Sequence, residues 1–116
     1  MGDTRETGRR GETQARHYLE QRGYAVLGQN WHSRFGELDL IARSAAGMVV
    51  FVEVKSRASQ WAGGGLAAVT AAKLRKMRLA AALWLRENPA EGERDVRFDV
   101  IDVGPDGVRH HVEGVW

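Results

Sequence analysis

Residues 49–57, "VVFVEVKSR", decide how this chain is read. Val49, Val50, Phe51, Val52 and Val54 are β-branched or aromatic, the composition of a buried strand. Glu53 and Lys55 nevertheless carry charge into the same run. An unpaired ion in a dry core costs several kcal/mol even after relaxation, so charges kept there must be compensated or used. The preceding stretch, "GELDLIARS" at 36–44, is a second strand of the same kind, joined to the first by a small-residue turn at Ala45, Ala46 and Gly47.

Side chains alternate across a strand, so Glu37, Asp39 and Ile41 are expected on one face and Leu38, Leu40 and Ala42 on the other. Folding the pair about Ala46 sets Ile41 against Phe51, Asp39 against Glu53 and Glu37 against Lys55. One face, with Val50, Val52 and Val54, is then aliphatic and suited to covering by a helix. The other collects three carboxylates and one lysine. Like charges opposite one another destabilise a sheet, so this face calls for a cation or a proton. Mg²⁺ or Mn²⁺ fits the oxygen-rich set, with Asp39, Glu53 and the Val54 carbonyl as expected ligands. Lys55 would stand beside the ion, placed to orient a water or to stabilise charge developing on a phosphate.

Working outward, residues 4–23 have helical periodicity and end at Gly23, a residue suited to helix termination. With Ala15 as reference, Gly8, Gly11, Glu12, Tyr18 and Leu19 share one arc, which puts Glu12 on the core-facing side. "YAVLGQNW" is a short strand. A long helix is predicted from Leu66 to Glu87, stopping before Asn88-Pro89, with Leu74, Met77, Ala81, Trp84 and Leu85 as its apolar stripe. "VRFDVIDV" and "VRHHVEGV" complete the strands, with Phe98 read as core and Asp99 as the structural partner of a nearby base. The predicted order is α-β-β-β-α-β-β, an α/β fold with a mixed central sheet flanked by helices. At 116 residues this is one domain, with a flexible tail expected over about residues 1–8.

Composition narrows the function classes. No run of about 18 apolar residues and no apolar segment behind the polar start argues for a membrane span or a secretory signal. Without cysteine there is no disulfide or thiolate metal site, and a cytoplasmic protein is the expectation. The net charge is only +2, but it is unevenly spread. Residues 70–88 hold Lys73, Arg75, Lys76, Arg78 and Arg86 against Glu87 alone. Such a segment suits a polyanion, and Lys73, Arg75, Lys76 and Arg78 are expected to contact phosphates without reading sequence. Arg34 and Arg57, next to the charged strands, join that set. Leu79 and Leu83 lie off the apolar stripe and would suit a homodimer.

Asp39 followed by Glu53-Val54-Lys55 resembles the signature of the PD-(D/E)XK nuclease superfamily, with Leu38 in place of its proline. More closely, "GETQARHYLEQRGYAVLGQNW", "RFGELDLIA", "VFVEVKSR", the Lys73-bearing helix and "RFDVI" resemble the YraN-like family of small bacterial proteins. His32 departs from the basic residue common in that family after the aromatic. The resemblance implies a restriction-endonuclease-like αβββαβ core, similar to archaeal Holliday-junction resolvases. It also implies metal-dependent phosphodiesterase chemistry on structured or branched DNA, with Asp39 and Glu53 as ligands, Lys55 as base or electrostatic helper, and Glu12 as the helix carboxylate. The competing expectation is a nucleic-acid-binding module that keeps the fold without turnover.

Overall fold

The computed structural model describes the backbone of residues 4–56 and 70–115, with side chains from residue 9 onward in those segments. The first helix, α1 (Thr4–Gln21), starts inside the stretch expected as a tail. It closes where Tyr24 N–H reaches the Leu19 carbonyl and Gly23 N–H reaches that of Glu20, a Schellman ending that requires the positive φ of Gly23, 87°. Three strands follow, β1 (Ala25–Ser33), β2 (Gly36–Arg43) and β3 (Val49–Ser56). The second helix, α2 (Ala71–Glu87), leads to β4 (Val96–Gly104) and β5 (Gly107–Val112).

Thr70 sets the start of α2. It sits in extended backbone and its hydroxyl oxygen accepts the Lys73 N–H at 3.1 Å, satisfying one of the free donors of the first turn. The expected start at Leu66, with Arg57, falls outside the described residues. At the other end the Asn88 amide donates to the Trp84 carbonyl at 2.8 Å, and Pro89 follows.

The sheet order is β1-β2-β3-β4-β5. Only β3 and β4 run parallel, because α2 carries the chain across between them; the other neighbours are antiparallel. Each face is covered by one helix. Ala15 and Leu19 of α1 pack on Leu40, Ala42, Val50, Val52, Val54, Ile101 and Val103. Leu74, Met77, Ala80, Ala81 and Trp84 of α2 pack on Ile41, Val49, Phe51 and Phe98, where the Phe51 ring lies 5.8 Å from Trp84 and 5.5 Å from Phe98. This is the α/β fold with a mixed sheet expected from the element order, and it is consistent with the restriction-endonuclease-like core that the resemblance implies.

A first expectation fails on the faces of β2. Leu38 does not share a face with Leu40 and Ala42; it belongs to the α2-side core with Ile41. Residues two apart lie on opposite faces only where a strand turns over, and here the turn falls at Asp39. Asp39 lies between the rungs Trp31↔Leu38 and Gln29↔Leu40, opposite Asn30, whose φ is 51°. Asparagine is one of the few side chains that tolerate this left-handed backbone. The β1–β2 ribbon therefore rolls about its own axis at this rung, carrying Trp31 and Leu38 towards α2.

No helix among the described residues is long and apolar enough to cross a membrane.

Candidate metal and nucleic-acid site

The roll of the β1–β2 ribbon decides which carboxylates meet. Asp39 accepts the Val54 N–H through Oδ2 at 2.8 Å, so a side chain takes the place of the next ladder bond. The β2–β3 ladder keeps the expected Ile41↔Phe51 rung but ends at Leu40↔Val52. Asp39 and Glu53 are thus not ladder partners as expected, because the strands part where the carboxylate intervenes. Beyond the roll, Glu37 and Asp39 come to Glu12 of α1, and one carboxylate oxygen from each of the three lies within 4.8 Å of the others. Glu12 reaches them because Gly11, its neighbour, has no side chain: a Cβ there would overlap the Ser56 side chain at the end of β3.

Glu53 and Lys55 stay on the α2 side, following the alternation of β3. The Lys55 ammonium lies 3.1 Å from Glu53 Oε1, in place of the expected pairing with Glu37. Lys73, from the first turn of α2, lies 2.5 Å from the same oxygen. The Glu53 side chain is only 8 % exposed, so two lysines enclose a buried carboxylate. The basic run on α2 points to phosphate contacts for Lys73, and no local pattern foretells its ion pair with Glu53.

The electrostatics follow from this crowding. Burial, then the Glu53 charge, pushes the Asp39 carboxyl up to about 8. Glu12 is also raised, by burial first and then by Glu37 and Glu53, against a hydrogen bond from Asn30. Lys55 is lowered by burial and by neighbouring Lys73. Burial works most strongly against the charge of Lys73, but the bonds to Glu53 and Lys55 and the charges of Glu53 and Asp39 together outweigh it and leave it raised. Carboxylates forced together in this way have the chemistry of a hard-cation site: oxygen donors only, clustered, and short of positive charge. Glu12, Glu37 and Asp39 therefore fit Mg²⁺ or Mn²⁺, with Glu53 beside them. The structure brings Glu37 into that set, which strand alternation had paired with Lys55. Asn30 within the strand "VLGQNW" was the available signal, as a residue suited to positive φ.

Between the β1–β2 turn and α2 lies a cavity of about 110 Å³ lined by Phe35, Gly36, Glu37, Glu53, Lys73, Lys76 and Met77. Arg34 folds back over the Phe35 ring, 4.8 Å from its centroid. Lys76, Arg75 and Arg78 are exposed on α2.

A separate buried network ties the far strands together, as expected of Asp99. Arg97 donates to Asp99 through Nε and Nη2, each at 2.8 Å, and also to the Tyr24 hydroxyl at 2.8 Å. His111 Nε2 lies 2.7 Å from Asp99 Oδ2, and its Nδ1 lies 3.0 Å from the Tyr18 hydroxyl.

Residues 11–103 match the family described as "Uncharacterised protein family UPF0102". The chain is similar to a UPF0102 protein of Mycolicibacterium gilvum (45% identity, covering 97% of this chain and 96% of that one). It is also similar to one of Leifsonia xyli subsp. xyli (41%, with 99% of each covered) and one of Bifidobacterium longum subsp. infantis (42%, with 100% of each covered).

Proposed function

The chain belongs to the UPF0102 family, and we propose that it is a metal-dependent endonuclease hydrolysing phosphodiester bonds in structured or branched DNA. The observation that carries this reading is the meeting of Glu12, Glu37 and Asp39 next to the Glu53–Lys55 pair, at the foot of a basic helix. Glu12, Glu37 and Asp39 would hold Mg²⁺ or Mn²⁺, with Glu53 at the edge of the set. When bound, such an ion supplies Lewis-acid polarisation of a phosphoryl oxygen. Lys55, whose charged form is disfavoured by burial and by Lys73, is suited to take a proton at Nζ from the attacking water. That water's oxygen forms the new bond to phosphorus, the ester P–O bond breaks, and the leaving oxygen acquires a proton. Lys76 lines the cavity beside the site and Arg34 folds over Phe35 at its edge; with Arg75 and Arg78, exposed on α2, they would hold the backbone without reading sequence. The same reading takes the cytoplasm as the place of action. It also accommodates a homodimer cutting two strands, since Leu79 is 46% exposed on α2.

A second reading is a nucleic-acid-binding module without turnover. What favours it is Glu53, whose Oε1 already has two lysines on it. Cleavage of labelled four-way-junction, flap, single-stranded and duplex DNA in Mg²⁺ or Mn²⁺ separates the two, with Asp39→Ala and Lys55→Ala beside the unaltered protein. The nuclease reading expects metal-dependent cutting, strongest on branched DNA, that both substitutions abolish. Salt-sensitive binding without cutting in either metal leaves the module.

A further inference from the structure

Lys73 stands in a position that helix physics disfavours. It is the third residue of α2 after the Thr70 cap, and no acidic residue accompanies it in the first turn. The first turn is the positive end of the helix dipole, where cations are unfavourable and anions welcome. A lysine there is held by something outside the helix, and Glu53 Oε1, 2.5 Å from its ammonium, is that partner. Lys55 lies on the same oxygen but belongs to the same strand as Glu53, two residues along, and is the less exposed of the two lysines. Lys73 is the more exposed, on a separate element, with a long stem that can swing outward.

Charge balance gives this arrangement a purpose. Glu12, Glu37, Asp39 and Glu53 offer four carboxylates against the two ammonium groups of Lys55 and Lys73. One divalent cation brings these six groups to neutrality, and by taking Glu53 Oε1 it competes with Lys73 for that oxygen, leaving the lysine to offset the charge of an incoming phosphate. The nearest use for the freed ammonium is at the mouth of the cavity it lines with Lys76, where the helix N-terminus also favours an anion. We propose that Lys73 is the resident counter-ion of Glu53 in the metal-free chain, that a divalent cation displaces it, and that the released ammonium binds a backbone phosphate of the nucleic acid. Lys73 thus couples metal loading to substrate binding. The inference rests on the metal-site reading above.

The test uses Mn²⁺ binding by calorimetry and a fluorescent 12-nucleotide single strand titrated with and without Ca²⁺. Full-length protein is compared with Lys73→Met, Lys73→Arg and Asp39→Ala. Removing the competing cation is expected to tighten Mn²⁺ binding in Lys73→Met by about fivefold, a partly exposed ion pair being worth only a modest factor. The same variant is expected to lose most of the Ca²⁺-induced gain in oligonucleotide affinity, while Lys73→Arg retains both properties. Unchanged or weaker Mn²⁺ binding in Lys73→Met, with binding still lost in Asp39→Ala, overturns the exchange role and leaves the metal site standing. Absence of Mn²⁺ binding in the unaltered protein overturns both.

Discussion

Asp39 Oδ2 accepts the backbone N–H of Val54 at 2.8 Å, so a titrating carboxylate is built into the sheet where the β2–β3 ladder stops. In the metal-free chain burial and the Glu53 charge push that carboxyl up to about 8, against an ordinary value of 3.8. The folded state therefore holds the proton more tightly than the unfolded state. The associated stability is fully present below the ordinary value and is lost as pH rises through about 8. Asp39→Asn keeps an oxygen for the Val54 N–H and removes the charge. In EDTA at about pH 9 its Tm should exceed that of the unaltered protein by several degrees, on the order of 2 kcal/mol, with the gap closing towards about pH 5. Parallel pH profiles for the two proteins would show that Asp39 ionises without cost.

A metal ion must expel that proton. Binding of Mn²⁺ at about pH 7 should release close to one proton per ion, read as the dependence of calorimetric heat on buffer ionisation enthalpy. Affinity should fall as pH is lowered below about 8, for the same reason. Glu37→Gln should weaken Mn²⁺ by about tenfold or more, as loss of a carboxylate from an oxygen cage does. A variant at Glu37 that binds Mn²⁺ normally would remove it from the site and return the ligand set to Asp39, Glu53 and the Val54 carbonyl.

How much of this was legible depends on how local each feature is. The α2 stripe of Leu74, Met77 and Trp84, the alternation of Val50, Val52 and Val54 against Phe51 and Glu53, and the Ile41–Phe51 rung follow from periodicity and one turn. The grouping of Glu37 with Glu12 does not, because it needs the roll at Asn30 and Asp39, a property of two strands together. Helical spacing did place Glu12 inward, without saying what it would meet. The Lys73–Glu53 contact joins elements separated by a long connection, and a basic helix read alone looks like a phosphate-binding face. Strand alternation and helix periodicity report the face a residue occupies where the element runs regularly, and fail at the roll, as Leu38 shows. The partner across a fold is fixed by packing.

Asp99 is fully buried and answers to several donors at once, with Arg97 at 2.8 Å, His111 at 2.7 Å and the Gly114 N–H at 3.2 Å. Burial alone would raise this carboxyl, but the bonds from His111 and Arg97 outweigh it and hold it below the ordinary range. A depressed acid contributes stability above its unfolded value and loses it as pH falls through the folded one. Asp99→Ala should cost about 3–5 kcal/mol at neutral pH, since Arg97 is left beside an empty position, and the difference should shrink below about pH 4. Chemical denaturation across that range measures it. A loss below about 1 kcal/mol at pH 7 would mean that water replaces the carboxylate without penalty.

Gly11 sets how closely α1 approaches the carboxylate cluster. An added Cβ would overlap Ser56 Oγ and lie 2.8 Å from Ser56 Cβ, so turning the hydroxyl away relieves only part of the collision. Ser56 Cα would stand at 3.7 Å, an ordinary contact. Gly11→Ala should therefore destabilise the protein by about 1–3 kcal/mol through overpacking, although alanine is the better helix former by about 1 kcal/mol. Because Glu12 is the next residue, displacement of α1 should also weaken Mn²⁺ binding. Adding Ser56→Gly removes the obstructing atoms, so the double variant should recover both stability and metal affinity beyond the sum of the single effects, with a coupling of about 1 kcal/mol or more. Urea denaturation gives the stability cycle and Mn²⁺ calorimetry the functional one. Additive effects in both would mean that α1 does not rest on Ser56 and that the position of Glu12 is set elsewhere along the helix.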